Sequence, residues 1–140
     1  MSTENKALAR RYFDEVLNRG DFSIADTLLS EDVVFRNPPV VARGTAEFKD
    51  VIGRVRAAFP DLRFAVEDEL AEGDKVAARW RVSGTQRGAF LGHPPSGKRI
   101  DVSGMNMFRI VGGRILEIWV NMDRLGEAEQ LGWTTNGPVS

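Results

Sequence analysis

The sequence predicts an α+β domain in which helices cover one face of a mostly antiparallel sheet. Two observations lead to this class. Apolar residues recur at helical spacing through the first 60 residues, whereas residues 62–123 show the alternation typical of strands. Two glycine-containing turns, Gly73-Asp74 and Gly112-Gly113, divide the second part into hairpins. Helices first and antiparallel strands afterwards indicate α+β rather than α/β.

The first predicted helix has an apolar stripe with a glycine after it. Gly20 lies where helices commonly end. Asp21 is suited to cap a second short helix, because its carboxylate can accept a hydrogen bond from a free backbone N–H. The stripes consist of Ala9, Tyr12, Phe13, Val16 and Leu17 in the first helix and of Ile24, Leu28 and Leu29 in the second.

A short strand and a third helix complete the first half. The run Val33-Val34-Phe35 predicts a strand that ends at Asn37-Pro38-Pro39. The third helix follows Gly44-Thr45 and cannot continue past Pro60. Its apolar stripe is formed by Phe48, Val51, Ile52, Val55 and Phe59.

Four strands and a last helix are predicted for the second half. Residues 62–71 and 75–85 form the first hairpin, and residues 100–111 and 114–123 form the second. A short helix follows at residues 124–131. We expect residues 1–133 to form a single domain and residues 134–140 a loose C-terminal tail.

The last hairpin allows its two faces to be assigned. If Gly112-Gly113 is the whole turn, Val111 lies opposite Arg114, and opposite residues point to the same side. One face then carries Asp123, Asn121, Trp119 and Glu117 opposite Val102, Gly104, Asn106 and Phe108. This mixture of aromatic and polar groups, with a glycine that leaves room, predicts the lining of a ligand cavity. The other face carries Leu116, Ile118, Val120 and Met122 with Ser103, Met105, Met107 and Arg109, so helices or a second subunit must cover it.

Composition excludes several classes of function. Lys and Arg number 19 against 20 Asp and Glu, so the net charge of −1 offers no field for nucleic acid or anionic lipid. The lack of cysteine excludes disulfides, thiolate metal sites and cysteine nucleophiles, and the single histidine excludes two-His metal sites. No segment approaches the roughly 20 apolar residues of a membrane span, and the polar start does not resemble a signal peptide. We therefore expect a cytoplasmic protein.

Asp123 is the strongest candidate for acid/base chemistry, and two interpretations of it stay open. It ends the last strand on the predicted cavity face, where apolar surroundings would raise its pKa and make it a better base. It also directly precedes the last helix, where an N-cap aspartate is worth about 1 kcal/mol with no chemistry.

Other polar residues have a structural and a functional interpretation. Tyr12 can donate to a bound carbonyl oxygen or to the backbone, and Asn37 can orient a ligand or form the turn before Pro38. His93 lies in a loop between Phe90-Leu91 and two prolines, which is typical of a solvated loop histidine. Phe90 and Leu91 are expected to pack at the cavity mouth or against a partner.

Several motifs carry a resemblance to a known family. Gly84-Thr85, Gly88 to Gly92 and Pro94 to Lys98 resemble the loop motif of SnoaL-like polyketide cyclases. The ending is similar too, at Phe108-Arg109-Ile110, Gly112 to Ile115, Glu117, Trp119, Asp123 and Gln130-Leu131-Gly132. The resemblance implies the cone-shaped α+β barrel of the nuclear-transport-factor-2-like superfamily, with a curved, mostly antiparallel sheet wrapped around the N-terminal helices. It also implies homodimers that pair through the outer sheet face.

The same resemblance implies a reaction and a set of site residues. Relatives close rings of polyketide intermediates by intramolecular aldol addition, without metal or cofactor, and a carboxylate at the position of Asp123 acts as acid/base. Asn106, Asn121 or Tyr12 would bond the substrate oxygen. The apolar walls would be Tyr12, Phe35, Phe108 and Trp119. The expected ligand is a small apolar carbonyl compound.

A second hypothesis comes from the absence of a second ionisable group near Asp123. The neighbouring strand offers Asn106, Met107 and Phe108 instead. The alternative is a non-catalytic, dimeric protein of the same fold that binds small molecules. An epoxide hydrolase would require Asp68, Arg79 and Asp123 to face one cavity.

Overall fold

A computed structural model describes residues 2–133, so the predicted tail at residues 134–140 lies outside the described residues. The helices are α1 (Ser2–Arg11), α2 (Phe22–Leu28), α3 (Gly44–Ala58) and α4 (Arg124–Leu131), and α1 continues as a π-helical segment, Tyr12–Asn18. The strands are β1 (Leu29–Asn37), β2 (Val40–Arg43), β3 (Arg63–Glu72), β4 (Lys75–Thr85), β5 (Arg99–Val111) and β6 (Arg114–Met122).

Caps and turns act where the sequence predicts them. The Asp21 side chain accepts a hydrogen bond from the backbone N–H of Ile24 and so begins α2. The helix α3 ends at Ala58, two residues before Pro60. Both Gly112 and Gly113 have positive φ, +59° and +75°, which suits the tight turn between β5 and β6.

The strands form one curved, unclosed sheet in the order β2-β1-β6-β5-β4-β3. All neighbouring pairs are antiparallel except β1 with β6, which is parallel. The predicted α+β class and cone-shaped architecture are confirmed. The strand β2 was not predicted, because Val40–Arg43 is too short and too close to the two prolines to show a strand pattern.

The register predicted for the last hairpin is wrong beyond its first two pairs. Val111 pairs with Arg114 and Ile110 with Ile115, but Arg109 pairs with Glu117, which leaves Leu116 as an extra residue in a β-bulge. One extra residue exchanges the two faces for the rest of the strand. The inner face therefore carries Ile118, Val120 and Met122 of β6 opposite Phe108, Asn106 and Gly104 of β5. The outer face carries Glu117, Trp119 and Asn121 opposite Arg109, Met107 and Met105.

An aromatic cluster joins the first helix to the centre of the sheet. The ring of Phe108 is fully buried and packs edge-on against Tyr12 and Phe13, with ring centroids 5.2 and 5.8 Å away. Phe48 of α3 meets Tyr12 at 5.9 Å and Phe35 at 5.4 Å. These contacts fix α1 and α3 on the concave side and leave space between α3 and the strands β4 to β6.

None of the helices within residues 2–133 is long and apolar enough to cross a membrane.

Candidate functional site

A cavity of about 480 Å³ opens between the concave face of the sheet, the helices α3 and α4, and the loop that joins β4 to β5. A volume of this size suits a small molecule of a few fused rings. Most of its wall is apolar, and the aromatic part is formed by Tyr12, Phe35, Phe59, Phe64, Trp80 and Phe90. Of the predicted site residues, Tyr12, Phe35, Asn37 and Asn106 line this cavity.

Two polar side chains lie against the apolar wall of the cavity. Asn106 is almost fully buried, and its Oδ1 accepts a hydrogen bond of 3.1 Å from the Trp80 indole N–H. This bond orients the amide, so that the Asn106 NH₂ group is the donor left for a guest. Burial raises the pKa of the Tyr12 hydroxyl, which therefore stays protonated as a second donor. Both groups can donate to a carbonyl or enolate oxygen.

A second polar group lies where α4 meets the end of β1. Nη1 of Arg124 donates to Oε1 of Glu127 over 3.1 Å, and Nη2 donates to Oδ1 of Asn37 over 2.9 Å. All three residues line the cavity. Asn37 is the last residue of β1 before the Pro38-Pro39 turn, and its side-chain oxygen accepts from the guanidinium, while its role in orienting a ligand stays a prediction.

Glu127 is the carboxyl group that the cavity holds. Its residue is 3% exposed, and burial raises the pKa of its carboxyl against the opposing charge of Arg124. A carboxyl in apolar surroundings with a raised pKa can both take and return a proton near neutral pH. Its Oε1 is engaged by Arg124, and no described residue bonds Oε2.

The expectation that Asp123 faces the cavity is wrong. Its side chain is exposed and accepts a hydrogen bond of 2.8 Å from the backbone N–H of Gly126, which caps α4. A Cβ atom at position 126 would collide with this carboxylate, so Gly126 leaves the room for the cap. Of the two interpretations given by the sequence, the structure supports the helix cap.

We expect Asp123→Ala to lower the free energy of unfolding by about 1 kcal/mol, because α4 loses its side-chain cap. Asp123→Asn should change it by only a few tenths of a kcal/mol, since asparagine caps helices about as well as aspartate. Urea denaturation followed by circular dichroism measures both values. Equal losses in the two variants would contradict the capping role and point to a need for the charge.

Three further predicted site residues lie elsewhere. Trp119 and Asn121 are on the outer face of the sheet because of the bulge at Leu116, and Phe108 is buried in the aromatic cluster. The Trp119 ring lies 5.4 Å from the Arg36 guanidinium, a cation–π contact. The arrangement required for an epoxide hydrolase is also absent, because Asp68 and Arg79 face each other at 3.9 Å outside the cavity.

The outer face also holds a charged cluster. Glu117 accepts hydrogen bonds from Arg109 at 2.8 Å and Arg36 at 2.9 Å, which lower the pKa of its carboxyl. Two arginines thus hold Glu117 ionised beside Trp119. The cluster pairs neighbouring strands and has no contact with the cavity.

The loop between β4 and β5 contributes to the mouth of the cavity. Phe90 and Leu91 line it, the first of the two placements expected for them, although Leu91 is still 52% exposed. The His93 ring stacks on Trp133, with centroids 4.0 Å apart and planes 10° apart. The histidine thus has a packing role in holding the loop to the residue that follows α4.

Sequence reasoning missed Arg54, Arg124 and Glu127. A signal for Glu127 was present, because Leu131 lies one helical turn further along α4 and is buried. Residues four apart share a helix face, so Glu127 had to face inward as well. Nothing in the sequence distinguishes Arg54 and Arg124, since arginines on the exposed faces of helices are common.

Comparisons with known proteins agree with this architecture. A family model described as SnoaL-like polyketide cyclase matches residues 7–131. Among solved structures, TsrD from Streptomyces laurentii is 33% identical, with 94% of this chain and 97% of TsrD covered and a TM-score of 0.85. A candidate SnoaL-like polyketide cyclase from Jannaschia sp. CCS1 is 26% identical, with 96% and 95% covered and a TM-score of 0.88. IdmH from Streptomyces antibioticus, named as a candidate polyketide cyclase, is 28% identical, with 91% and 98% covered and a TM-score of 0.78. No curated protein matches this chain.

Proposed function

Because this chain belongs to the SnoaL-like polyketide cyclase family, we propose that it is a cyclase-type enzyme that acts on a small apolar carbonyl compound in the cavity, with Glu127 as its acid/base group. The observation that carries the proposal is a buried carboxyl with a raised pKa on the wall of an apolar cavity. In this proposal Glu127 takes the acid/base role that was predicted for Asp123.

The proposed reaction is an intramolecular aldol addition. The ionised carboxyl of Glu127 takes a proton from the carbon beside a carbonyl, and the electron pair moves onto the carbonyl oxygen. Tyr12 or Asn106 donates a hydrogen bond to that oxygen. The resulting enolate carbon bonds to a second carbonyl carbon of the same molecule, and the alkoxide formed there takes the proton back from Glu127. Substrate and product are isomers.

The cavity contributes by shape as well as by chemistry. Ring closure requires the two ends of a flexible chain to meet, and a shaped apolar space lowers the entropic cost of that meeting. Phe35, Phe64 and Trp80 provide flat walls for a ring system.

The proposal predicts that Glu127→Gln lowers catalysed proton exchange by about 100-fold. The probe is 2-acetylnaphthalene, whose methyl protons lie beside the carbonyl, and deuterium uptake in D₂O is followed by NMR. In the unsubstituted protein the rate should rise with pH through the raised pKa of Glu127, because only the ionised carboxyl acts as a base.

Asp123→Asn is the matched control, since it removes a carboxylate from the same helix end without touching the cavity. We expect this variant to exchange protons within about twofold of the unsubstituted rate, because the charge of Asp123 is the smallest of the causes that shift the pKa of Glu127. Wild-type exchange in Glu127→Gln would refute the role of Glu127. An unsubstituted protein that binds the ketone without accelerating exchange would favour the alternative, a non-catalytic small-molecule binder, which the largely apolar wall also suits.

A homodimer through the outer sheet face and a cytoplasmic location stay predictions. Of the residues predicted for the outer face, Ile118 and Val120 are buried inside. Met105 and Met107 do lie on that face and are 51% and 42% exposed, which supports the predicted dimer surface.

A further inference from the structure

The charged groups that line the cavity carry more positive than negative charge. Among residues 2–133 these groups are Arg54, Arg124 and Glu127, two guanidiniums against one carboxyl. An otherwise apolar cavity therefore carries surplus positive charge on its wall.

Arg124 has a donor to spare. Its Nη1 and Nη2 are bonded to Glu127 and Asn37, but its Nε is buried and has no hydrogen-bond partner within the described part of the chain. A guanidinium carries five N–H donors, and a buried donor without a partner is costly. Nη1 and Nη2 each use one of their two N–H donors in these bonds, so an acceptor brought by a guest can bind the others.

Arg54 supplies the second charge. It is exposed on α3, lines the cavity, and makes no ion pair or hydrogen bond with another described residue. Three arginines of the sheet differ in this respect, since Arg36, Arg79 and Arg81 each pair with a carboxylate. The acidic residues Glu47 and Asp50 share a small adjoining groove with Arg54, and Glu47 is engaged by the backbone N–H of Arg43.

We propose that the molecule bound in this cavity carries a carboxylate, which binds at the mouth through Arg54 and Arg124 while its apolar part fills the interior. The inference rests on the proposed function in taking this cavity as the substrate site. It adds the substrate class: an aromatic or polycyclic keto acid rather than a neutral ketone.

The test compares two probes of similar shape, 2-naphthoate and 2-acetylnaphthalene, by calorimetry at low ionic strength. We expect the unsubstituted protein to bind 2-naphthoate about tenfold more tightly, a gap that shrinks as salt screens the charges. Arg54→Gln should weaken 2-naphthoate binding about fivefold and leave 2-acetylnaphthalene within about twofold. Arg63→Gln is the control, because Arg63 is exposed on β3 and does not line the cavity.

Each outcome decides the inference separately from the proposed function. Equal affinity for the two probes, or equal losses in Arg54→Gln and Arg63→Gln, overturns the carboxylate site even if Glu127→Gln abolishes proton exchange. A selective loss in Arg54→Gln supports the site even if Glu127→Gln exchanges protons normally. Failure of both probes to bind overturns the inference and the proposed function together.

Discussion

Gly104→Ala should lower the free energy of unfolding by about 3 kcal/mol, although it adds a single methyl group. Gly104 lies on β5 directly against the indole ring of Trp80, its partner on β4. A Cβ atom built at position 104 overlaps that ring, so either the ring or the strand must move. Overpacking of this kind lowers the free energy of unfolding because a close-packed interior has no free space for an added atom.

The side chain of Trp80 is held in place by its neighbours. Its indole N–H is held by Asn106 over 3.1 Å, and its ring packs edge-on against Phe64 with centroids 4.8 Å apart. A shift of the ring therefore breaks a buried hydrogen bond as well as an aromatic contact. The same shift would move Trp80 and Asn106 in the cavity wall, so ligand affinity should fall together with stability.

Urea denaturation measures the effect, and Gly53→Ala is the matched control. Gly53 lies within α3, where a Cβ would meet Phe22 at an ordinary 3.7 Å. The same chemical change should there raise the free energy of unfolding by about 0.5–1 kcal/mol, since alanine favours the helix. Losses of equal size in the two variants would contradict the explanation by contact with Trp80.

Gly104 also shows a limit of prediction from the sequence. The sequence predicted that Gly104 leaves room for a ligand in the cavity, and this prediction is wrong. The space beside Gly104 is filled by the ring of Trp80, and Gly104 does not line the cavity. The alternation of polar and apolar residues along β4 and β5 does not show which large side chain of the neighbouring strand lies opposite a glycine.

The fold was predictable because its elements are bounded by residues with strong local preferences. The glycines of the two turns, Asp21 at the start of α2 and Pro60 after α3 each act within a few residues of their position. The bulge at Leu116 has no such local signal, because it follows from how β5 and β6 both fit the core. One extra residue was enough to move Trp119 and Asn121 out of the site.

The site was predictable only in part for the same reason. Tyr12, Phe35 and Asn37 were found because their elements precede the bulge or lie outside its hairpin. Asn106 was found although its predicted partners on β6 were wrong. Arg124 bonds both Glu127 and Asn37, and Asn37 lies some 90 residues away in the sequence. No local sequence pattern indicates such a long-range contact.

Gln86→Leu should destabilise the ordered conformation of the loop between β4 and β5 by about 3 kcal/mol. Gln86 is fully buried, and its amide is the centre of the loop's hydrogen bonds. Its Nε2 donates to the carbonyls of Gly88 at 3.1 Å and Pro94 at 3.2 Å, and its Oε1 accepts from the Ser96 hydroxyl at 2.7 Å. Leucine fills a similar volume and leaves all of these groups without their partner.

Hydrogen exchange measures this loss locally. The amides of Phe90 and His93 bond each other's carbonyls at 2.9 Å across the loop, so their protection reports whether the loop stays closed. We expect strong loss of protection in Gln86→Leu and a smaller loss, about 1 kcal/mol, in Ser96→Ala, which removes one of the Gln86 bonds and the 3.2 Å bond from the Lys98 backbone N–H to the Ser96 hydroxyl. Unchanged protection in Gln86→Leu would show that the backbone alone holds the loop.

The consequence for binding follows from where the loop lies. Phe90 and Leu91 line the cavity mouth, and Phe90 also packs on Phe59 with centroids 5.1 Å apart. A guest that needs this wall must first restore the ordered loop, so its apparent affinity falls by the fraction of molecules in which the loop is closed. We expect 2-acetylnaphthalene to bind Gln86→Leu at least about tenfold more weakly, and Ser96→Ala only a few-fold more weakly. Full affinity in a variant whose loop amides exchange freely would mean that the guest is held by the sheet and α3 alone.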